Sequence, residues 1–356
     1  MKILITGICG FVGGTLARGL RETASGIEII GLDNLARAGA EWNRFALQRE
    51  GFKVVHADIR LASDLEGLPA TDWVIDAAAN ASVLAGLNSA SASRQLAEHN
   101  LWGTVNVLEY CKRHRAGLLM LSTSRVYSLR VLAGLEMETV NQAFRPKGGV
   151  ALPHGCSPRG VTEDFSVTPP LSLYGSTKLA SETLALEYGE AFNFPVWINR
   201  CGVMAGAGQF GRPDQGIFTY WINGYLRGRP LKYTGFGGTG FQARDCLHPA
   251  DLLPLLRQQM ENPAARHAKI QNVSGGAAQS MSLAQLSGWC AARFGHREIL
   301  REEAPRPFDV PWLVLDSARA QSQWNWQPQT SLETILQGIA AHAEQNPDWL
   351  ERSGVV

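Results

Sequence analysis

Lys2-Ile3-Leu4-Ile5-Thr6-Gly7-Ile8-Cys9-Gly10-Phe11-Val12-Gly13 is the stretch that decides the fold of this 356-residue chain. The apolar run Ile3-Leu4-Ile5 reads as a buried strand, Gly7 and Gly10 as a tight turn, and Phe11 onward as the start of a helix. Free N–H groups and the positive end of the helix dipole at such a junction suit a dinucleotide diphosphate. A second strand pattern ends in Asp33, about 20 residues beyond the glycine turn. A carboxylate there accepts hydrogen bonds from an adenosine ribose and repels a 2′-phosphate, which favours NAD over NADP.

A second piece completes the chemistry. Tyr174-Gly175-Ser176-Thr177-Lys178 opens a helical pattern and puts a phenol and an ammonium one turn apart on one face. A free phenol ionises near pH ~10, so a base at this position needs help from nearby positive charge. Lys178 and a positive nicotinamide ring both favour the phenolate, which makes Tyr174 the expected base. Thr123 closes a fifth strand pattern, at the strand end where parallel sheets place their ligands, and its hydroxyl is positioned for a reacting sugar oxygen. Asp58 either caps a loop or bonds the adenine amine. Asn100 reads as a helix-buried amide that orders a water or a loop behind the site, or as purely structural.

Strand patterns at 2–5, 27–32, 53–57, 72–77, 117–122 and 195–199 alternate with helical patterns at 11–21, 91–114 and 174–190. The alternation predicts an α/β fold, a parallel sheet covered on both faces. Residues 125–170 are rich in Gly and Pro without clean periodicity and read as a functional loop or flap. Residues 331–345 read as an amphipathic closing helix. Net charge is +1, which leaves no electrostatic footprint for nucleic acid, and no apolar run reaches membrane-span length. The six scattered cysteines and eight histidines lack metal-ligand spacing, so no metal is expected and the thiols read as reduced, in a cytoplasmic protein.

With these residues in place, the chain resembles the extended short-chain dehydrogenases/reductases, the class of NAD-dependent nucleotide-sugar epimerases and dehydratases. The likeness runs over nearly the whole length. It is carried by Gly7, Gly10 and Gly13, Asp33-Asn34, Asp58, Ala77-Ala78-Ala79, Asn100, and Thr123 four residues before Tyr127. It continues through Tyr174 with Lys178, Asn199-Arg200, the Arg244-Asp245-Cys246-Leu247-His248-Pro249-Ala250-Asp251 stretch and Arg306-Pro307-Phe308-Asp309. The resemblance implies a Rossmann-type doubly wound parallel sheet over residues 1–200, with a return segment near 241–260. A smaller C-terminal α/β region, mainly 201–356, would bind a nucleotide-diphosphate sugar.

The resemblance also distributes roles. NAD contacts are implied at Gly7, Cys9, Gly10, Phe11 and Val12, at Asp33, Asn34 and Arg37, and at Asp58 and Ile59. Further contacts are implied at Ala77, Ala78, Ala79, Asn100, Ser122, Tyr174, Lys178 and Cys201. Arg244 and Arg306 match the arginines that hold the sugar-nucleotide diphosphate, a sensible task for paired guanidinium donors. Substrate contacts are implied at Asn80, Thr123, Ser124, Arg125, Arg200, Gln209 and Gln215 as well. Thr123, Tyr174 and Lys178 form the implied catalytic set. Members of the class dimerise through the helices at 91–114 and 174–190, which implies a homodimer.

Three stretches narrow the likeness to enzymes acting at C2 of a CDP-linked hexose: residues 33–39, Gln209-Phe210 with Asp214-Gln215-Gly216, and Arg244–His248. There are departures too. Ser128 follows Tyr127 where the class usually has glycine, and the loop to Tyr174 is long. No Asp-Glu pair follows Thr123, which disfavours sugar dehydration. Val203 stands where 4-epimerases carry a phosphate-contacting asparagine. A 4-epimerase or keto-sugar reductase on the same scaffold is the near alternative, and a non-catalytic NAD-sensing regulator the distant one.

Overall fold

The computed structural model describes residues 1–23, 26–87 and 93–355. Its centre is a seven-stranded parallel sheet: β1 (Lys2–Thr6), β2 (Glu28–Asp33), β3 (Lys53–His56), β4 (Trp73–Asp76), β5 (Gly117–Thr123), β6 (Val196–Cys201) and β7 (Ile270–Val273). The spatial order is β7-β6-β5-β4-β1-β2-β3, the doubly wound arrangement that reverses direction between β1 and β4. Ile3 and Ile5 face one apolar layer and Leu4 the other, so the alternation along β1 fills a core on each side of the sheet. At the reversal, Thr6 Oγ1 donates to Asp76 and accepts from the N–H groups of Ala77 and Ala78 at 3.1 and 3.0 Å. These bonds fix the crevice that opens above β1 and β4.

Gly7 has φ +66°, and a Cβ there would lie 2.9 Å from Ala78 Cα. A Cβ on Gly13 would collide with the carbonyl oxygen of Gly7. The glycines therefore let the helix Phe11–Thr23 start directly against the strand end. The 241–260 segment packs Leu252, Leu255 and Leu256 against one face of the sheet, and the chain then adds β7, residues 270–273, as its edge strand. Its two middle residues, Gln271 and Asn272, are polar yet fully buried, so the strand carries no continuous apolar run.

A second, four-stranded sheet joins Val203–Met204, Ala243–Leu247, Ser280–Ser282 and Trp312–Leu313 beside the crevice. Residues 125–170 are not the structureless flap expected from sequence. They form a short helix, Leu129–Ala133, and two small hairpins, Met137–Val140 with Ala143–Pro146 and Cys156–Ser157 with Gly160–Val161. Val126, Tyr127, Leu132 and Phe165 from this segment share an apolar core with Val310–Leu315. The 91–114 pattern is a helix, Ser93–Ala97, then a π-helical turn, Glu98–Trp102, then a helix, Gly103–His114; residues 91 and 92 lie outside the described residues. Among the described residues no helix is long and apolar enough to cross a membrane.

The Gly13 contact yields a test. Gly13→Ala must push the first helix off β1, and the strain should destabilise folding by about 1–3 kcal/mol, measured by urea denaturation.

Candidate active site

The crevice above the sheet opens into one cleft of about 970 Å³, at the top of the ~300–1,000 Å³ range for single small ligands. One wall is the sheet's C-terminal edge: Gly7, Gly10, Phe11, Val12, Asp33, Asn34, Arg37, Ile59, Ala77–Ala79, Ser122 and Cys201. The other carries Gln209, Gln215, Arg244 and Arg306. Asn80, Thr123, Ser124, Arg125 and Tyr174 lie between them.

Ser172 caps the helix Leu173–Phe192 by accepting from Gly175 N–H at 3.0 Å. Tyr174 therefore sits in the first turn, where the positive end of the dipole favours an anion. A Cβ on Gly175 would collide with the Arg125 carbonyl, so this glycine lets the Thr123–Arg125 turn rest directly on the helix start. The same turn is closed by Arg125 N–H donating to Thr123 Oγ1 at 3.1 Å. Burial pushes the Tyr174 phenol up to about 12, while the Thr123 side chain and the Arg125 guanidinium pull it down.

Lys178, one turn on, is buried, and its Nζ has no hydrogen-bond partner among the described residues. An ammonium largely withdrawn from water and without a protein partner among the described residues favours oxygen ligands from elsewhere. Its charge reaches the Cys201 thiol, which burial holds near 12 while Lys178 opposes the rise. Together with the glycine cradle at Gly7 and Gly13, this free ammonium fits the diphosphate and ribose hydroxyls of a dinucleotide.

Asp33 accepts from the backbone N–H groups of Cys9 and Leu35, each at 2.9 Å. Burial raises its pKa and those two bonds resist the rise. The Cys9 side chain points into the core; only its backbone faces the turn. Asp58 lies off the cleft wall. Burial opposes its ionisation, but bonds from Arg60 at 2.6 Å and Asn34 at 3.1 Å win and hold it at about 2. Asn100, in the π-helical turn, accepts from Asn80 N–H at 2.8 Å and donates to Asn80 O at 3.1 Å. It holds the loop that carries Asn80 rather than facing the cleft.

Arg200 is also elsewhere. The sequence reading assigns it to substrate, yet its guanidinium is buried against Glu182 at 2.7 Å and donates to Tyr127 Oη at 3.3 Å. Glu182 also accepts from Ser122 Oγ. Glu182 escaped the sequence reading although it stands four residues after Lys178 on the same helix face, spacing that could have revealed it. Asp309 was missed as well: it pairs with Arg244 at 2.8 Å inside the cleft.

At the far wall, Arg244 also donates to Val310 O at 2.8 Å, and Arg306 donates to Pro213 O at 3.3 Å. Burial lowers the Arg244 pKa and Asp309 resists. Arg37 reaches across from the cofactor wall to Gln215 Oε1 and, at 2.6 Å, to Phe210 O. Gln209 is held by Met204 O and Thr219 Oγ1 at 2.8 and 3.0 Å.

This arrangement combines a dinucleotide cradle, a phenol with a neighbouring hydroxyl and ammonium, and a cationic far wall. Residues 3–274 match the NAD dependent epimerase/dehydratase family, and the chain belongs to it. It is an NAD-dependent nucleotide-sugar epimerase. It is similar to the CDP-paratose 2-epimerase of Salmonella typhi, 29% identical over 95% of this chain and 97% of that protein. It is also similar to the UDP-glucuronate 4-epimerase of Thermodesulfobacterium geofontis, 27% identical over 96% of each chain. Among solved structures, the UDP-glucuronic acid 4-epimerase of Bacillus cereus in complex with UDP-glucuronic acid and NAD superimposes with a TM-score of 0.78. That match has 24% identity and covers 97% of this chain and 99% of the other.

Two outcomes follow. Arg200→Met strands a buried carboxylate and should cost about 3–5 kcal/mol in urea denaturation; adding Glu182→Gln should recover part of it. Burial disfavours the phenolate and a bound cation favours it, so Tyr174 should ionise at lower pH with NAD⁺ than without. Absorbance titration of the wild type against Tyr174→Phe reads this directly: no Tyr174 phenolate signal below pH ~10 without NAD⁺, and an earlier one with it.

Proposed function

We propose that this chain epimerises a nucleotide-diphosphate hexose at C2, with a CDP-linked sugar favoured, through a transient keto sugar. The observation that carries the reading is the cleft that brings Thr123 and Tyr174 together opposite Arg244 and Arg306, with Lys178 buried one helical turn beyond Tyr174. The C2 and CDP preferences draw on the likeness to CDP-paratose 2-epimerase and on residues 33–39 and 209–216, which touch through Arg37.

NAD, when bound, supplies the hydride acceptor and donor, so none is consumed per turnover. Tyr174 takes the proton of the reacting hydroxyl and returns it after the keto sugar has turned in the pocket. Thr123 Oγ1, already fixed as an acceptor for Arg125 N–H, uses its own proton to hold the sugar oxygen. Lys178 binds the cofactor ribose and keeps positive charge near the phenol. Arg244 and Arg306 bind the diphosphate, which anchors the substrate while the sugar rotates. In this reading Asp33 receives the adenosine ribose, and the enzyme works in the cytoplasm as a homodimer through the 93–114 and 173–192 segments.

Tyr174→Phe should abolish turnover, by a factor of about 100 or more, while NAD content stays at the wild-type level. Melting curves of the NAD-loaded protein with CDP-, UDP-, GDP-, dTDP- and ADP-linked hexoses test the substrate, since a ligand of the folded state raises Tm. A rise with CDP-sugars alone supports the reading. A rise with UDP-sugars alone replaces it with 4-epimerase chemistry, and stoichiometric loss of NADH during turnover replaces it with a reductase.

A further inference from the structure

Arg125 lines the cleft beside Tyr174, Arg244 and Arg306. Its backbone is locked on both sides, by the Thr123 hydroxyl and by the close approach to Gly175. The guanidinium has no carboxylate partner among the described residues; its one hydrogen bond is a long one, 3.4 Å, to the Phe308 carbonyl. The nearby acid, Asp309, is already paired with Arg244. Of the three guanidiniums, only Arg244 is paired with a carboxylate among the described residues. Burial, then the Arg244 charge, pushes Arg125 down to about 10, which leaves it protonated at neutral pH. A half-buried cation without a counter-ion points to an anion supplied by the ligand.

Arg125 belongs to both ends of the cleft. Its backbone carbonyl abuts Gly175, next to Tyr174, and its guanidinium reaches the Phe308 carbonyl, next to Asp309 and two residues from Arg306. In a nucleotide-diphosphate hexose the sugar-proximal phosphate hangs on C1. C2 is the next carbon, whereas C4 lies across the ring. A cation placed between the base and the other two arginines suits a substrate whose reacting carbon and phosphate are neighbours.

We propose that Arg125 binds the sugar-proximal phosphate and thereby sets C2, rather than C4, against Tyr174. The regiochemical half rests on the C2 reading above; the phosphate contact does not.

The two halves are tested separately on NAD-loaded protein. Calorimetric titration with CMP, CDP, UMP and UDP reads the phosphate contact, and the wild type identifies the base series to use. Arg125→Met should weaken the diphosphate by about tenfold or more and leave the monophosphate within about twofold, with Arg125→Lys recovering part of the loss. Equal losses on both nucleotides, or no loss, overturn the contact. NAD content and Tm report whether each variant is folded, and Arg125→Lys carries the same comparison if Arg125→Met is not.

Deuterated substrate reads the carbon. A wild-type isotope effect on kcat from C2 label, with a lowered kcat/KM in Arg125→Met, supports the placement. A wild-type effect from C4 label overturns the C2 reading itself. A C2 effect with unchanged kcat/KM in the variant overturns the role of Arg125 alone.

Discussion

The Glu182 carboxylate is the point on which the reactive geometry depends. It is buried on the helix Leu173–Phe192 and receives Ser122 from the end of β5 and Arg200 from the end of β6. Those partners are the immediate neighbours of Thr123 and Cys201, and the helix carries Tyr174 and Lys178. A change in the tilt or register of the helix would break at least one of these bonds inside an apolar layer, where an unpaired charge is expensive. The network goes further: Arg200 donates to Tyr127, Tyr127 donates to Asn272 at 2.6 Å, and Asn272 N–H donates to Glu163 at 2.6 Å. Three adjacent strand ends, one helix and the 126–170 segment are thus held in a single register.

That network also explains why residues 126–170 are folded rather than loose. The segment supplies Tyr127 and Glu163 to the buried polar chain and Val126, Leu132 and Phe165 to the apolar core over Val310–Leu315. Arg319 anchors its outer side through Glu163 and Asp164, at 3.4 and 2.8 Å. The cleft-lining residues pass from Arg125 to Tyr174 without using this segment, so it braces the site from behind.

Legibility in the sequence followed burial. Strands β1 to β6 stand out because each carries a run of apolar residues, and the glycine turn because the close approach of Gly7, Ala78 and Gly13 excludes side chains. β7 was illegible because its two middle residues are buried amides, Gln271 and Asn272, and Asn272 finds its side-chain partners in Tyr127 and Val161, which no local pattern encodes. The hairpins of the 126–170 segment are too short, two to four residues a strand, to show periodicity. Among site residues, sequence identified the types but not their directions. Arg200 and Arg244 are both arginines near strand ends, yet one faces Glu182 behind the sheet and the other Asp309 in the cleft. Only the position of the opposing carboxylate separates them, and each carboxylate is far from its arginine in sequence.

Two stretches that looked like independent substrate signatures turn out to be one contact. Arg37, in the loop after β2, bonds Gln215 and the Phe210 carbonyl, and a Cβ on Gly39 would collide with the Phe210 ring. Phe210 in turn stacks on Trp349 at 5.0 Å, and Trp349 donates to the Gln209 carbonyl at 2.8 Å. The loop after β2 is thereby latched, through the 209–216 loop, to the last helix, Trp349–Arg352. Arg37 is half-buried at this latch; burial and the Arg212 charge lower its pKa to about 10, and Asp214 resists. Neither loop has a strand ladder to hold it, so each depends on the other for its shape. A substitution at Arg37 or Gly39 therefore disturbs the 209–216 loop, and the same coupling runs in reverse from Gln215 to the loop after β2.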